Sequence, residues 1–183
     1  MKNALILHGT NATSSSNWFP WLAQQLAAKD YRVWVPDLPH ADKPSMKRYN
    51  EFLFARPDWE FDNESVIIGH SSGAVAILGL LQQLHENVRI SKALMVGAFK
   101  DDLGWNTLEE LFDITLNFEL IKQKSSNFTF IHSDNDPYSP LTHAKYLSLM
   151  VGGELIMRPG EGHFNTEMGP SYTQLPFILD LIP

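Results

Sequence analysis

The chain has 183 residues, 44% of them apolar and 19% charged, with a formal net charge of −7 and no cysteine. That length suits a single domain over residues 1–183 with a buried core, and the balance of apolar to charged residues is that of a globular protein. Without cysteine there are no disulfides, no thiol catalysis and no cysteine-based zinc site, and an acidic chain without a basic run is a poor partner for nucleic acid.

In chain order, short β-rich apolar runs alternate with stretches whose apolar residues recur at helical spacing. The first run, Ala4–His8, starts almost at once, and the segment from Met1 to His8 is too short an apolar stretch for a secretory signal. No stretch approaches the roughly 20 apolar residues that cross a bilayer. The expectation is a soluble cytoplasmic protein without membrane association. Trp18–Lys29 follows with a helical pattern, then a second run at Tyr31–Pro36. Ala41–Asn63 carries Pro44, Pro57 and scattered aromatics, and is expected to hold one irregular helix. Ser65–Gly69 reads as a third strand, and Ser72–His85 as a helix with Ala74, Ile77, Leu78, Leu81 and Leu84 on one face. Strands are expected again at Ala93–Gly97, Phe128–His132 and Glu154–Met157, with a helix over Leu141–Met150. Phe99–Ser126 is longer than an ordinary loop and is a candidate lid over an active site.

The runs are mostly continuous rather than alternating, as in strands covered on both faces. Strand and helix alternating along the chain predict a three-layer α/β fold. Its six-stranded, mostly parallel sheet takes the order 2-1-3-4-5-6, with helices on both faces and any site at the C-terminal strand ends.

The sharpest chemical signal is Gly69-His70-Ser71-Ser72-Gly73, a G-x-S-x-G pattern between the third strand and the helix after it. A serine on so abrupt a turn projects its hydroxyl from the sheet edge, small neighbours relieve the crowding, and the helix N-terminus lends positive potential. Ser71 is therefore the candidate nucleophile. It needs a base. Of seven histidines, His163 has the right context, in the glycine-rich stretch Gly160-Glu161-Gly162-His163-Phe164 after the last strand. His8 and His132 end strands and are expected to line or underlie the cleft. His70 lies inside the turn but is expected to point elsewhere, and His40, His85 and His143 read as surface residues. The acid that orients the base is sought after the fifth strand, where Asp134 and Asp136 compete. Asp136 opens an Asp-Pro-x-x-Pro turn into the next helix and is favoured; Asp134 suits organisation of the turn itself. The order Ser71, Asp136, His163 is that of α/β-hydrolases. Oxyanion donors are expected from the backbone N–H groups of Ser72 and Thr10, the latter after Gly9 in the loop behind the first strand. Trp18 and Trp21, at helical spacing, suit a core better than a ligand platform, although Trp18 stands near enough to the oxyanion loop to be a candidate pocket residue.

Other chemistries lack their residues. There is neither a Gly-Lys-Ser/Thr phosphate loop nor a G-x-G-x-x-G fingerprint, so Asp37 after the second strand is only a strand-end acid. His132, Asp134 and Asp136 have no partner histidines at ligand spacing, so neither a metal nor a cofactor is expected.

His8-Gly9, Asn17-Trp18-Phe19-Pro20-Trp21-Leu22, Gly69-His70-Ser71-Ser72-Gly73-Ala74, Asp136-Pro137 and Gly162-His163-Phe164 run from the first strand to the last loop. On these segments the chain resembles the small serine hydrolases typified by retinoblastoma-binding protein nine and its bacterial relatives. The resemblance implies a compact α/β-hydrolase without a large cap, with nucleophile, acid and base at Ser71, Asp136 and His163. It also implies an esterase or peptidase, or a protein known chiefly through binding partners. Hydrolysis of a small carboxylic ester through an acyl-enzyme is the primary expectation, with amide or peptide hydrolysis, or low-turnover protein binding on a hydrolase scaffold, as alternatives.

Overall fold

The computed structural model describes residues 2–183; Met1, at the head of the opening run, lies outside them. Every residue of β1 (Asn3–Leu7), β3 (Ser65–His70) and β5 (Phe128–His132) is buried, and in β4 (Lys92–Val96) only Lys92 is partly exposed. β2 (Arg32–Trp34) and β6 (Glu154–Met157) are shorter, reach solvent and form the two edges. The strands pair in the order β2-β1-β3-β4-β5-β6, and every pairing is parallel. This is the expected order.

Alternation along the strands divides the core into two layers. Leu5, Leu7, Ile67, Met95 and Phe130 face α2 (Met46–Phe54), α3 (Ser72–Gln83) and α5 (Leu141–Val151). Ala4, Ile6, Val66, Ile68, Val96 and Ile131 face α1 (Phe19–Ala27) and a C-terminal 3-10 turn, Pro176–Leu181. Each fully buried Leu, Ile or Val contributes about 1.5–3 kcal/mol, so both layers are needed to offset the ordering of the chain. No large cap covers the strand ends among the described residues.

α1 buries Phe19, Leu22 and Leu26, one stripe at helical spacing, and has Pro20 in its first turn, where a missing N–H costs nothing. The irregular helix expected within Ala41–Asn63 is instead a regular one. Pro44 lies before its start and Pro57 beyond its end, and the Ser45 hydroxyl caps it by accepting from the Arg48 N–H at 3.4 Å. α3 is buried all round from Ser72 to Leu81 rather than on one face, because α2 covers its outer side. At Gly79 a Cβ would collide with the Met46 side chain of α2, so glycine sets that close approach. The long excursion at Phe99–Ser126 folds into a 3-10 turn (Asn106–Leu111) and α4 (Phe118–Ile121). Phe99, Leu108 and Leu111 pack with Met46 and Val75 in a third apolar cluster, which anchors the excursion to α2 and α3.

Candidate active site

β3 runs into α3 through Ser71, whose φ of 54° and ψ of −125° are rare for a residue with a side chain. Such backbone costs about 1–3 kcal/mol and survives only where its surroundings enforce it. Here the Ser71 N–H donates to the Val96 carbonyl of β4 at 2.8 Å, and its carbonyl accepts from Ala74 at 2.9 Å in the first turn of α3. The flanking glycines are required by space. A Cβ on Gly69 would lie 2.6 Å from the Gly73 carbonyl oxygen, and one on Gly73 would strike the backbone of Leu7 and His8. Gly9 of the neighbouring loop leaves similarly little room, since its Cβ would sit 2.8 Å from that of Ser71.

The same loop supplies Thr10. Its hydroxyl donates to the buried Ser72 hydroxyl at 2.9 Å, tying the β1 loop to the start of α3. As the first residue of α3, Ser72 has a backbone N–H without an intrahelical acceptor. The Thr10 N–H likewise has no acceptor among the described residues.

Asp136, behind β5, has a side chain only 1% exposed and uses both oxygens. Oδ1 accepts from the N–H groups of Tyr138 and Ser139 at 2.9 and 3.0 Å, closing the turn that leads into α5. Oδ2 accepts from His163 Nδ1 at 2.7 Å and from the Ser139 hydroxyl at 3.2 Å. Burial pushes the Asp136 carboxyl upward, but the His163 hydrogen bond and charge, with the two N–H donors, hold it below its ordinary value. Asp134 does something different: its Oδ1 accepts from the Gly160 N–H at 2.9 Å and braces the loop that carries His163. A carboxylate can only accept, so His163 carries its proton on Nδ1, which leaves Nε2 with a lone pair. His163 and Ser71 line one cleft, while the Ser71 hydroxyl makes no hydrogen bond among the described residues.

The remaining histidines divide by depth. His8 accepts from the Leu38 N–H through Nε2 at 2.8 Å, so its Nδ1–H donates to the Gly9 carbonyl at 2.9 Å. His132 contacts the Ser139 carbonyl through Nε2 at 3.0 Å and lies 3.8 Å from Asp136. Both underlie the site without lining the cleft, and burial pushes both below their ordinary range. His70, expected to point away, lies against the base: its Nε2 is 2.7 Å from the His163 carbonyl oxygen, and the two rings stand 4.8 Å apart. His143, read as a surface residue, is mostly covered, since its Nδ1 takes the Lys100 N–H at 3.4 Å.

The cleft holds about 560 Å³. Phe99, Leu103, Trp105 and Leu108 of the long excursion form an apolar wall, and Thr10, Asn11 and Ser15–Asn17 face them from the β1 loop. Trp18 is not part of it. The indole is fully buried in the α1 layer because its Nε1–H reaches the Phe164 carbonyl at 3.0 Å, which turns the ring inward behind the base. The position of Trp18 near the oxyanion loop was the only signal for a pocket role, and its core partner lies 146 residues away in sequence. Tyr138 and Glu167 went unnoticed in the sequence; they join at 2.5 Å across the cleft mouth, with the Tyr138 ring edge-on to His163.

Comparison with known proteins gives a consistent result. YdeN of Bacillus subtilis (strain 168), a hydrolase by name, is 25% identical over 182 residues, covering 99% of this chain and 94% of its own. The serine hydrolase RBBP9 of Rattus norvegicus is 24% identical over 165 residues, covering 87% of this chain and 85% of its own. The crystal structure of the B. subtilis ydeN product superposes with a TM-score of 0.91 at 24% identity, over 99% of this chain and 96% of that one. Est1E of Butyrivibrio proteoclasticus, solved with ferulic acid, shares the α/β-hydrolase fold at a TM-score of 0.69 and 12% identity, over 100% of this chain and 86% of its own. The serine hydrolase family model matches residues 4–182, and over that span, nearly the whole length, the chain belongs to the serine hydrolase family.

Proposed function

We propose that this single-domain chain is a cytoplasmic carboxylester hydrolase working through a Ser71–His163–Asp136 triad and an acyl-enzyme. The observation that carries the reading is the 2.7 Å Asp136–His163 hydrogen bond beside a strained Ser71 that opens on the same cleft. Ser71 Oγ attacks the ester carbonyl carbon while His163 Nε2 takes its proton. The oxyanion forms against the N–H groups of Thr10 and Ser72, aligned beforehand by their hydroxyl–hydroxyl bond. His163 returns the proton to the departing alkoxide, and Asp136 stabilises the imidazolium in between. Water then attacks the acyl carbonyl carbon as His163 Nε2 takes its proton; the bond to Ser71 Oγ breaks to release the acid, and His163 returns the proton to Oγ. The Ser71 hydroxyl, without a hydrogen bond among the described residues, is free to bond His163 Nε2 in the substrate complex.

Small carboxylic esters fit an uncapped cleft because an alkoxide leaves more readily than an amine and needs less binding energy to do so. A panel of p-nitrophenyl esters of increasing acyl length, run beside aminoacyl amides, tests this. Ester turnover with a pre-steady-state burst, absent from Ser71→Ala and His163→Ala, is expected. Turnover of amides alone would move the activity to amide or peptide bonds. Silence toward both would leave a binding protein on a hydrolase scaffold.

A further inference from the structure

We propose that His70 is a positioning residue for the base: its Nε2–H, donated to the His163 carbonyl oxygen, ties the His163 loop to the strand that carries the nucleophile. This rests on the reading of Ser71 and His163 as nucleophile and base.

The need for such a tie comes from the loop itself. Gly160, Gly162 and Phe164 all adopt positive φ, at 77°, 56° and 54°, so backbone preferences alone do not hold His163 in place. Side chains hold the loop instead. Asp134, Ser133 and Asn135 accept from the N–H groups of Gly160, Glu161 and Gly162 at 2.9, 3.0 and 2.8 Å. Those three come from the loop of Asp136, so they fix the base relative to the acid. Asn17 accepts from the Thr166 N–H at 3.0 Å on the far side. The tie from His70 differs in origin, because His70 is bonded directly to Ser71. It fixes the base relative to the nucleophile.

The chemistry of the pair leaves one arrangement. A carbonyl oxygen only accepts, so the proton of His70 sits on Nε2 and Nδ1 keeps its lone pair. Nδ1 is buried and has no hydrogen-bond partner among the described residues. Burial, reinforced by the neighbouring His163, pushes the His70 imidazole down to about 3, so it stays neutral at physiological pH and does not oppose the charge His163 acquires. Trp18, nearly perpendicular to the ring, and Phe19, tilted against it, flank it at centroid distances of 6.1 and 5.9 Å.

His70→Phe keeps a planar ring and removes the donor, while His70→Gln keeps a donor at about the same reach on a flexible side chain. With p-nitrophenyl acetate, His70→Phe is expected to lose about 10- to 100-fold in kcat with KM within about twofold, the size of effect that a small displacement of a catalytic group produces. His70→Gln is expected to recover much of that loss. A Phe variant with wild-type kcat, or a Gln variant as slow as the Phe variant, would overturn the proposal. A measurement on the unaltered protein covers the case in which the Phe variant does not fold: nitrogen-15 NMR of His70 is expected to show a neutral ring protonated on Nε2, and protonation on Nδ1 would overturn the assignment. Labelling by a fluorophosphonate separates the two levels. A wild-type protein that fails to label at Ser71 refutes the triad, whereas normal labelling of both wild type and His70→Phe at one rate refutes only the role of His70.

Discussion

Gly97, at the end of β4, is where backbone conformation and the candidate triad meet most closely. Its φ is 64°, and a Cβ there would lie 3.0 Å from His163 Cε1, 3.2 Å from Nδ1 and 3.8 Å from Asp136 Oδ2. Gly97→Ala therefore has two separable effects. The left-handed backbone costs a side-chain-bearing residue about 1–2 kcal/mol, or roughly 2–8 °C in Tm for a domain of this size. The methyl group also presses on the imidazole, which must move by a few tenths of an ångström, and a displacement of that order is expected to lower kcat about tenfold. Gly152 is the matched control. It caps α5 with φ at 67°, and a Cβ there has no neighbour within 4 Å, so Gly152→Ala carries the backbone cost alone. Scanning calorimetry and ester turnover on the two variants should show similar losses of Tm but a fall in kcat only for Gly97→Ala. Equal kcat in both variants would mean that the imidazole position observed here is not the one used in turnover.

Two further outcomes follow from the acid and from the buried histidines. Asp136→Asn removes the charge that holds the His163 tautomer and is expected to reduce kcat by about 10³–10⁴, while Asp134→Asn, which still accepts from Gly160, should stay within a few-fold; steady-state kinetics on the pair checks the assignment. Stability is expected to fall as pH drops below 6.5, because His8, His70 and His132 all sit below that ordinary value when folded, and the unfolded chain takes up their protons first. Each contributes up to about 1.4 kcal/mol per pH unit within its window. Below about pH 4 a further loss sets in: the stability that the depressed Asp136 carboxyl contributes, present in full above its ordinary value of 3.8, disappears as the carboxyl protonates in the fold. Urea midpoints measured from pH 7 to pH 3 should slope downward throughout, and a flat profile between pH 7 and pH 5 would contradict the buried neutral histidines.

Most of the framework was legible because it rests on local signals. The apolar runs, the glycines around Ser71 and the order of Ser71, Asp136 and His163 are all short-range patterns, and they led to the observed sheet order. What stayed hidden depends on pairs far apart in sequence. Trp18, which suits a core by its spacing, stays a candidate pocket residue until its indole finds the Phe164 carbonyl. His70 looks idle until the His163 loop returns to it, 93 residues later. The Tyr138–Glu167 contact joins two loops that share no motif. The C-terminal turn Pro176–Leu181 carries no strong periodicity, yet Ile178 completes the layer beneath α1. Even the regularity of α2 is hard to read locally, because Pro44 and Pro57 share its segment and only the structure places both outside the helix.

The direct test of the catalytic chemistry is covalent capture of the nucleophile. Treated with a fluorophosphonate and digested for peptide mass spectrometry, the wild-type protein is expected to carry one adduct on Ser71, none in Ser71→Ala and a strongly slowed reaction in His163→Ala. An adduct on a different serine, or labelling at an undiminished rate in both variants, would contradict it.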